Sequence, residues 1–181
     1  KVDTKTRERL EAIIEKSYIT FWRQKRLFDI FFATLILLFF LPLMIVIAIV
    51  IVIDDPSAGP FYKQVRVGRH GKEFNMYKFR TMVANAPELL EKLKAENEKD
   101  GPVFKMKDDP RITKIGRFLR KTSIDELPQL INILKGDMSV VGPRPPLPKE
   151  VAEYDEYHRI RLSVTPGLTC IWQVQPNRDE I

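Results

Sequence analysis

Twenty-seven consecutive residues, Leu27 to Ile53, are apolar except for Asp29, Thr34 and Pro42. A helix needs roughly 20 apolar residues to cross a bilayer, and no core helix of a water-soluble domain requires a run this long. Straight, the run would reach about 40 Å, against a hydrocarbon core of roughly 30 Å. A membrane-embedded helix is therefore the fixed point of any fold this chain adopts. Asp29 lies at the mouth of the run, where Arg26, three residues earlier, is spaced to pair with it. At mid-bilayer the same charge would cost about 2.5–3.5 kcal/mol, most of which the edge position avoids.

Length alone favours a crossing, but two features oppose one. Pro42 falls mid-run, where it removes a backbone hydrogen bond and bends the helix. Both flanks are basic: residues 1–26 carry eight Lys/Arg against four acids, and residues 54–80 carry six against three. The positive-inside bias then draws both ends to the cytoplasm. A helix broken at Pro42 and returning to the side it entered from meets every demand; a straight span meets only the length. Upstream, Leu10, Ile13, Ile14, Ser17 and Phe21 share a helical face. Phe21, Trp22, Arg23, Lys25 and Arg26 form an aromatic-basic collar suited to a head-group boundary, or to an amphipathic helix against a partner.

Turn-rich Asp54–Pro60 leads into two expected strands, Phe61–Val67 and Lys72–Phe79, joined as a hairpin at Gly68-Arg-His-Gly71. The second strand delivers Lys78 and Arg80 within Tyr77-Lys-Phe-Arg-Thr-Met82. Its alternating rings and cations can stack a base and hold phosphate, or simply face solvent. A charged helix is expected over Ala86–Lys99, then cations at 111, 114, 117 and 120 in one row if helical. Gly142-Pro-Arg-Pro-Pro-Leu-Pro148 reads as a rigid loop that fixes the direction of Arg144. A helix is expected around Tyr154–Arg161, and Thr165–Val174 reads as a loop entering a short apolar segment.

The densest chemistry lies between Lys121 and Leu130, where adjacent carboxylates Asp125 and Glu126 stand among Arg111, Lys114, Arg117, Arg120, Lys121 and Arg144. Two acids among so many bases, beside a membrane run, point to a phosphate-handling centre at a membrane surface. Ser123-x-x-Glu126 equally spells a helix capping box, a purely structural use of the same residues. Pro128 is tolerated only near a first helical turn, so a helix is expected from about Asp125 to Leu134, closed at Lys135-Gly136. Both carboxylates would then sit at its N-terminus.

A formal charge of +6 admits polyanionic partners: nucleic acid, anionic lipid head groups or nucleotide phosphates. The single cysteine, Cys170, rules out an internal disulfide framework and suits a reducing compartment. His70 and His158 lack the spacing of metal ligands. There is no signal-peptide pattern, and a chain opening on Lys1 is expected to be trimmed from a longer one.

Taken in order, Lys25-Arg-Leu-Phe-Asp-Ile30, Tyr77–Met82, Arg120–Leu130, Lys135-Gly-Asp-Met-Ser139, Gly142-Pro-Arg-Pro145 and Pro166-Gly-Leu-Thr169 resemble the bacterial sugar transferase family. These are monotopic phosphoglycosyl transferases acting on polyprenyl phosphate, and the likeness runs from about Lys25 to Gln175. It implies a mainly α fold with a small β-hairpin. An interfacial helix over 1–26 and a re-entrant membrane helix over 27–53, kinked at Pro42, would precede an α/β catalytic domain over 54–181 at the cytoplasmic face. The implied reaction moves a phosphosugar from a UDP-sugar to undecaprenyl phosphate or a relative, releasing UMP, at the bacterial inner membrane.

The resemblance assigns Asp125 as nucleophile and ligand of Mg²⁺, with Glu126 beside it. Lys78, Arg120 and Arg144 are the phosphate-binding bases, to which the strand pattern adds Arg80. The implied partners are UDP-sugar, polyprenyl phosphate and membrane lipid, with no nucleic acid and with a homodimer allowed. Two departures stand out. The family often breaks its membrane helix at Ser-Pro, whereas this chain reads Leu41-Pro42, and members usually continue some tens of residues beyond the equivalent of Ile181.

The chemistry explains the cations. A carboxylate attacking a diphosphate meets like charge, and at about 4 Å each such pair repels by roughly 4 kcal/mol at an effective dielectric near 20. Several bases and a divalent ion must cancel that repulsion. Two other readings use the same residues without catalysis. One is a membrane-anchored module binding anionic lipid or nucleic acid; the other is a single-pass scaffold for a protein partner.

Overall fold

The computed structural model describes residues 4–93 and 109–170, with side chains over 16–90 and 109–170. One helix, α1 (Thr4–Asp54), takes up the whole N-terminal part, running unbroken past residue 26 and through Pro42. Proline inside a helix forfeits its own bond to the carbonyl four residues back and crowds that carbonyl, yet the helix continues on both sides of Pro42. The segment Lys16–Asp54 is the one helix among the described residues long and apolar enough to cross a membrane.

This helix is a wall of the domain and not an appendage. Ala33 is fully buried against Met76, Leu130, Ile133 and Met138, and further along Met44, Ile47 and Ile51 pack on Phe79 and Leu119. Leu37 touches both clusters. The seam Asp29, Ala33, Leu37, Met44, Ile47, Ile51 keeps to one helical face, and from Ala33 to Ile51 α1 contributes to both cores over about 27 Å of its axis. The opposite face stays bare: Leu27, Phe31, Leu38, Phe39 and Ile53 are each more than 60 % exposed. Apolar surface of that extent marks a lipid or partner contact.

Strands β1 (Phe61–Val67) and β2 (Glu73–Phe79) pair antiparallel, with Phe61 opposite Phe79 and Val67 opposite Glu73. The hairpin is the expected one, turning through a 3-10 segment, Arg69–Gly71, in which His70 adopts φ 58°. Helix α2 covers Ala86–Leu93; the remainder of the helix expected to Lys99 lies outside the described residues. Helix α3 (Lys114–Thr122) starts where Thr113 accepts the Gly116 N–H, so Arg111 stands outside it and the row of four cations is broken at its first member.

Beyond α3 the expected single helix divides. Ser123 takes a left-handed conformation (φ 57°), a 3-10 turn holds Ile124–Glu126, and α4 begins only at Gln129 and runs to Lys135. Pro128 is its N-cap and Gly136, at φ 91°, its C-cap, so the stop is as expected and the start is four residues late. The capping box does not form: Ser123 makes no side-chain cap bond, and Glu126 is engaged elsewhere. Two short strands that periodicity could not reveal, β3 (Ser139–Val141) and β4 (Gly167–Thr169), pair in parallel. They close on glycine: a Cβ at Gly167 would lie 2.0 Å from the Gly142 nitrogen. Between them the expected helix near Tyr154 resolves into α5 (Pro148–Ala152), α6 (Glu156–Arg159) and a 3-10 turn, Ile160–Ser163.

Candidate active site

A cavity of about 680 Å³ opens between the end of β2, the segment through Ala86, helix α3 and the 3-10 turn. That size lies within the roughly 300–1,000 Å³ of pockets that enclose ligands of nucleotide scale. Alternation along β2 sends Lys78 and Arg80 to the same side, and both line the cavity. Arg120, on the last turn of α3, reaches it with Nε held on Thr81 Oγ1 at 2.9 Å. Arg80 carries a buried Nε–H with no partner among the described residues, a donor left over for a ligand. Arg111 also lines the wall, but its guanidinium is locked on Asp109, with Nη2 at 2.6 Å from Oδ2.

The two carboxylates are not equivalent. Glu126 is neutralised by Lys78, with Nζ 2.6 Å from Oε1. Asp125 is 8 % exposed, lines the cavity and makes no ion pair of its own among the described residues. Burial pushes its carboxyl above the ordinary carboxylate range; the Lys78 charge pulls back, Glu126 adds to the rise, and Arg120 pulls back again. Desolvation holds the Arg120 guanidinium below the usual arginine range, with Asp125 acting against it. A poorly solvated carboxylate ringed by fixed cations is a strong nucleophile toward an anionic electrophile that those cations can hold.

Of the sequence candidates, Asp125, Glu126, Lys78, Arg80 and Arg120 therefore share one cavity. Arg144 does not line it; this residue opens instead on a neighbouring cavity of about 220 Å³ with Arg66, Gln129, Lys78 and Glu126. The ring of Tyr77 is also elsewhere, on the opposite face of β2 from Lys78, where the Lys135 ammonium sits 4.7 Å from its centroid. Tyr62, cross-strand from Lys78, is the tyrosine that lines the larger cavity.

Sequence reasoning missed Thr81 and Gln129, although both fall inside the quoted motifs. It also misassigned the partner of Asp29. Arg26 donates to the carbonyls of Ile133 (2.5 Å) and Leu134 (2.8 Å) at the end of α4, while Asp29 accepts from Ser139 Oγ (2.9 Å), the Val140 N–H (3.0 Å) and Lys25 Nζ (3.4 Å). Helix capping by a guanidinium takes the place of the i,i+3 pair: Arg26 joins the Gly136 N–H on the Ile133 carbonyl and also donates to the Leu134 carbonyl at the negative end of the helix. Among the described residues no group of three or more His, Cys, Asp or Glu converges as a preformed metal cage.

Fold and site together define a class: a domain walled by a long apolar helix, with a desolvated aspartate and clustered cations lining one cavity. The chain belongs to the bacterial sugar transferase family, whose model matches residues 20–181. It is 49 % identical over 162 residues to the undecaprenyl-phosphate galactose phosphotransferase of Salmonella typhimurium, covering 86 % of this chain and 33 % of that protein. With the galactosyl transferase CpsE of Streptococcus agalactiae it shares 52 % over 119 residues, 65 % of this chain and 26 % of the relative. The UDP-galactose-lipid carrier transferase of Erwinia amylovora is 42 % identical over 162 residues, 86 % and 33 % of the two chains. The chain thus spans about a third or less of the length of these relatives.

Proposed function

We propose that this chain carries the catalytic centre of a phosphoglycosyl transferase that moves a sugar phosphate from a UDP-sugar to polyprenyl phosphate. The observation that carries the reading is Asp125: buried, without a counter-ion of its own, and turned into a nucleotide-sized cavity beside Arg80 and Arg120. The names of the Salmonella and Erwinia relatives support the lipid carrier and the UDP-sugar.

In the first step an Asp125 carboxylate oxygen attacks the β-phosphorus. The bond from that phosphorus to the bridging oxygen breaks, UMP leaves with the electron pair, and an acyl phosphate carrying the sugar remains. In the second step a phosphate oxygen of the lipid attacks the same phosphorus, and Asp125 leaves as carboxylate. No proton needs to move in either step. Arg80 and Arg120 hold the diphosphate against the repulsion of Asp125, while Lys78 keeps Glu126 from adding to it.

Mg²⁺ fits in the mode that uses one carboxylate plus substrate phosphates. Asp125 and the diphosphate oxygens would hold it, and it would supply further neutralisation of charge.

The attachment is proposed as one-sided, at the inner membrane with the catalytic part toward the cytoplasm, α1 embedding its bare face without crossing. In support, one polar body grips both ends of the apolar run, at Asp29 through Ser139 and Val140 and at Ile51 through Phe79 and Leu119. A perpendicular crossing would carry that body's polar groups into hydrocarbon, each costing several kcal/mol.

Radiolabelled UDP-sugar tests the chemistry in the membrane-reconstituted protein. Label should remain on denatured wild-type protein and be absent from Asp125→Asn. Undiminished UMP release in that variant would remove Asp125 as the nucleophile. Polyanion binding without label or UMP release would favour the non-catalytic module.

A further inference from the structure

The Lys78–Glu126 pair is also the shared border of two neighbouring cavities. Both residues line the larger cavity and the smaller one, whereas Asp125 opens only on the former and Arg144 only on the latter. At about 220 Å³ the smaller chamber falls below the roughly 300 Å³ at which pockets begin to enclose drug-sized ligands, so it suits a small group and not a nucleotide.

Its lining is built for an anion. Arg66, Lys78 and Arg144 face it against the single carboxylate of Glu126. Arg66 is 7 % exposed and fully employed: it donates to the Pro145 carbonyl at 3.0 Å and to Gln64 Oε1 through Nε at 3.1 Å and Nη2 at 2.7 Å. It therefore fixes the loop that presents Arg144, while Arg144 itself makes no hydrogen bond or ion pair among the described residues. Burial, and next the Arg144 charge, hold the Arg66 guanidinium below the usual arginine range. An independent sign is Gln129. It is 3 % exposed and lines the chamber, and its carboxamide has no hydrogen-bond partner among the described residues. The rest of the residue is packed while the amide keeps access to the chamber, so a group that enters there can bond to it.

We infer that this chamber is a phosphate-monoester subsite, distinct from the nucleotide cavity, that receives the phosphate of the lipid acceptor. Arg144 and the Gln129 amide bind the phosphate oxygens, and Arg66 is a positioning residue for Arg144. The assignment rests on the transferase reading for the identity of the acceptor. It departs from any scheme in which Arg144 clamps the sugar nucleotide.

The test is binding by calorimetry to the membrane-reconstituted protein, with a short-chain prenyl phosphate, inorganic phosphate and UMP as separate probes. Prenyl phosphate should bind alongside saturating UMP without being displaced. Arg144→Gln should weaken prenyl phosphate by about tenfold or more, the scale of one charge-assisted hydrogen bond, while UMP changes less than about twofold. Arg144→Lys should recover part of the loss. Full competition between UMP and prenyl phosphate, or equal loss of both in Arg144→Gln, overturns the separate subsite. Inorganic phosphate binding as tightly as prenyl phosphate overturns the lipid assignment in favour of a free-phosphate site. Failure of the transferase reading shows separately, as absence of label on Asp125, and leaves these binding outcomes readable.

Discussion

Glycine to alanine inside a helix ordinarily stabilises, by up to about 1 kcal/mol. Gly116, in the first turn of α3, should reverse that sign. A Cβ there would sit 2.1 Å from the Thr81 carbonyl oxygen and 2.8 and 2.9 Å from two further Thr81 backbone atoms. Ordinary contact begins near 3.4 Å, so something must move by more than 1 Å. The obstacle is backbone that is itself held. Thr81 O accepts from the Thr113 N–H at 3.1 Å, and Val83 N–H donates to the Arg111 carbonyl at 2.9 Å. Overpacking costs about 1–3 kcal/mol and a broken backbone bond about 0.5–1.5, against the propensity gain, for a net loss of roughly 1–3 kcal/mol. At about 2–4 °C per kcal/mol for a chain of this size, Gly116→Ala should lower Tm by several degrees in thermal unfolding of the reconstituted protein. Gly59→Ala is the control, since nothing lies within 4 Å of its added Cβ, and it should leave Tm nearly unchanged. Arg120, one turn beyond Gly116, leans on Thr81, so UMP affinity should also fall in Gly116→Ala alone. A Gly116→Ala protein as stable as its parent would refute the close packing of α3 on Thr81, and with it the placement of Arg120.

Three further outcomes follow from single contacts. Asp29→Ala strands the Val140 N–H, while the Ser139 hydroxyl keeps the Val141 carbonyl at 3.1 Å, and should cost about 1–3 kcal/mol, whereas Asp29→Asn keeps an acceptor and should cost less; equal Tm values for the two would contradict the role given to the Asp29 contacts. Asn132 is fully buried, accepting the Tyr77 N–H at 3.0 Å and donating to the Asn75 carbonyl at 2.7 Å, so Asn132→Leu should lose about 2–4 kcal/mol in denaturant unfolding. The Asp125 carboxyl is raised by burial, so its charge destabilises the fold above the folded-state pKa, and that penalty fades as pH falls toward the ordinary value of 3.8. Asp125→Asn should therefore raise Tm at neutral pH, and UMP release should fall on the acid side at a pH above the usual carboxylate range, a limb that Lys78→Met moves higher still.

What the sequence made legible was set by how local each feature is. The apolar run and the Phe61–Phe79 hairpin are patterns of nearest neighbours, and both stand where periodicity puts them. The cation cluster was legible as composition but not as geometry. Arg111 is absorbed by Asp109, two residues away, and Arg144 is carried to a second chamber by a loop strapped through Arg66. Asn132 and Ser139 gave no signal, because their roles depend on partners more than 50 residues distant in sequence, Tyr77 and Asp29. Pro42 did not interrupt the helix as written, while Ser123, with no proline or glycine beside it, made the sharpest turn near the site.

That turn accounts for the division of labour between two adjacent acids. On an α-helix, neighbours point about 100° apart, and a helix beginning at Asp125 would have aimed both carboxylates at its own free N–H groups. Pro128 disfavours such a start, since at the fourth position it would crowd the Ile124 carbonyl and offer it no N–H, and it serves instead as the N-cap of α4. The chain instead leaves α3 through a left-handed Ser123 and winds Ile124–Glu126 as a 3-10 turn, in which successive side chains diverge by about 120°. One acid is thereby driven into the cavity wall, half stripped of water, while the next swings onto the Lys78 ammonium at the border of both chambers. Burial raises the basicity of the first, and pairing removes the charge of the second from the path of an incoming anion. Exchanging the two identities, with aspartate and glutamate transposed, would keep the composition and lose the arrangement, since the longer side chain would crowd the cavity and the shorter would fall short of Lys78.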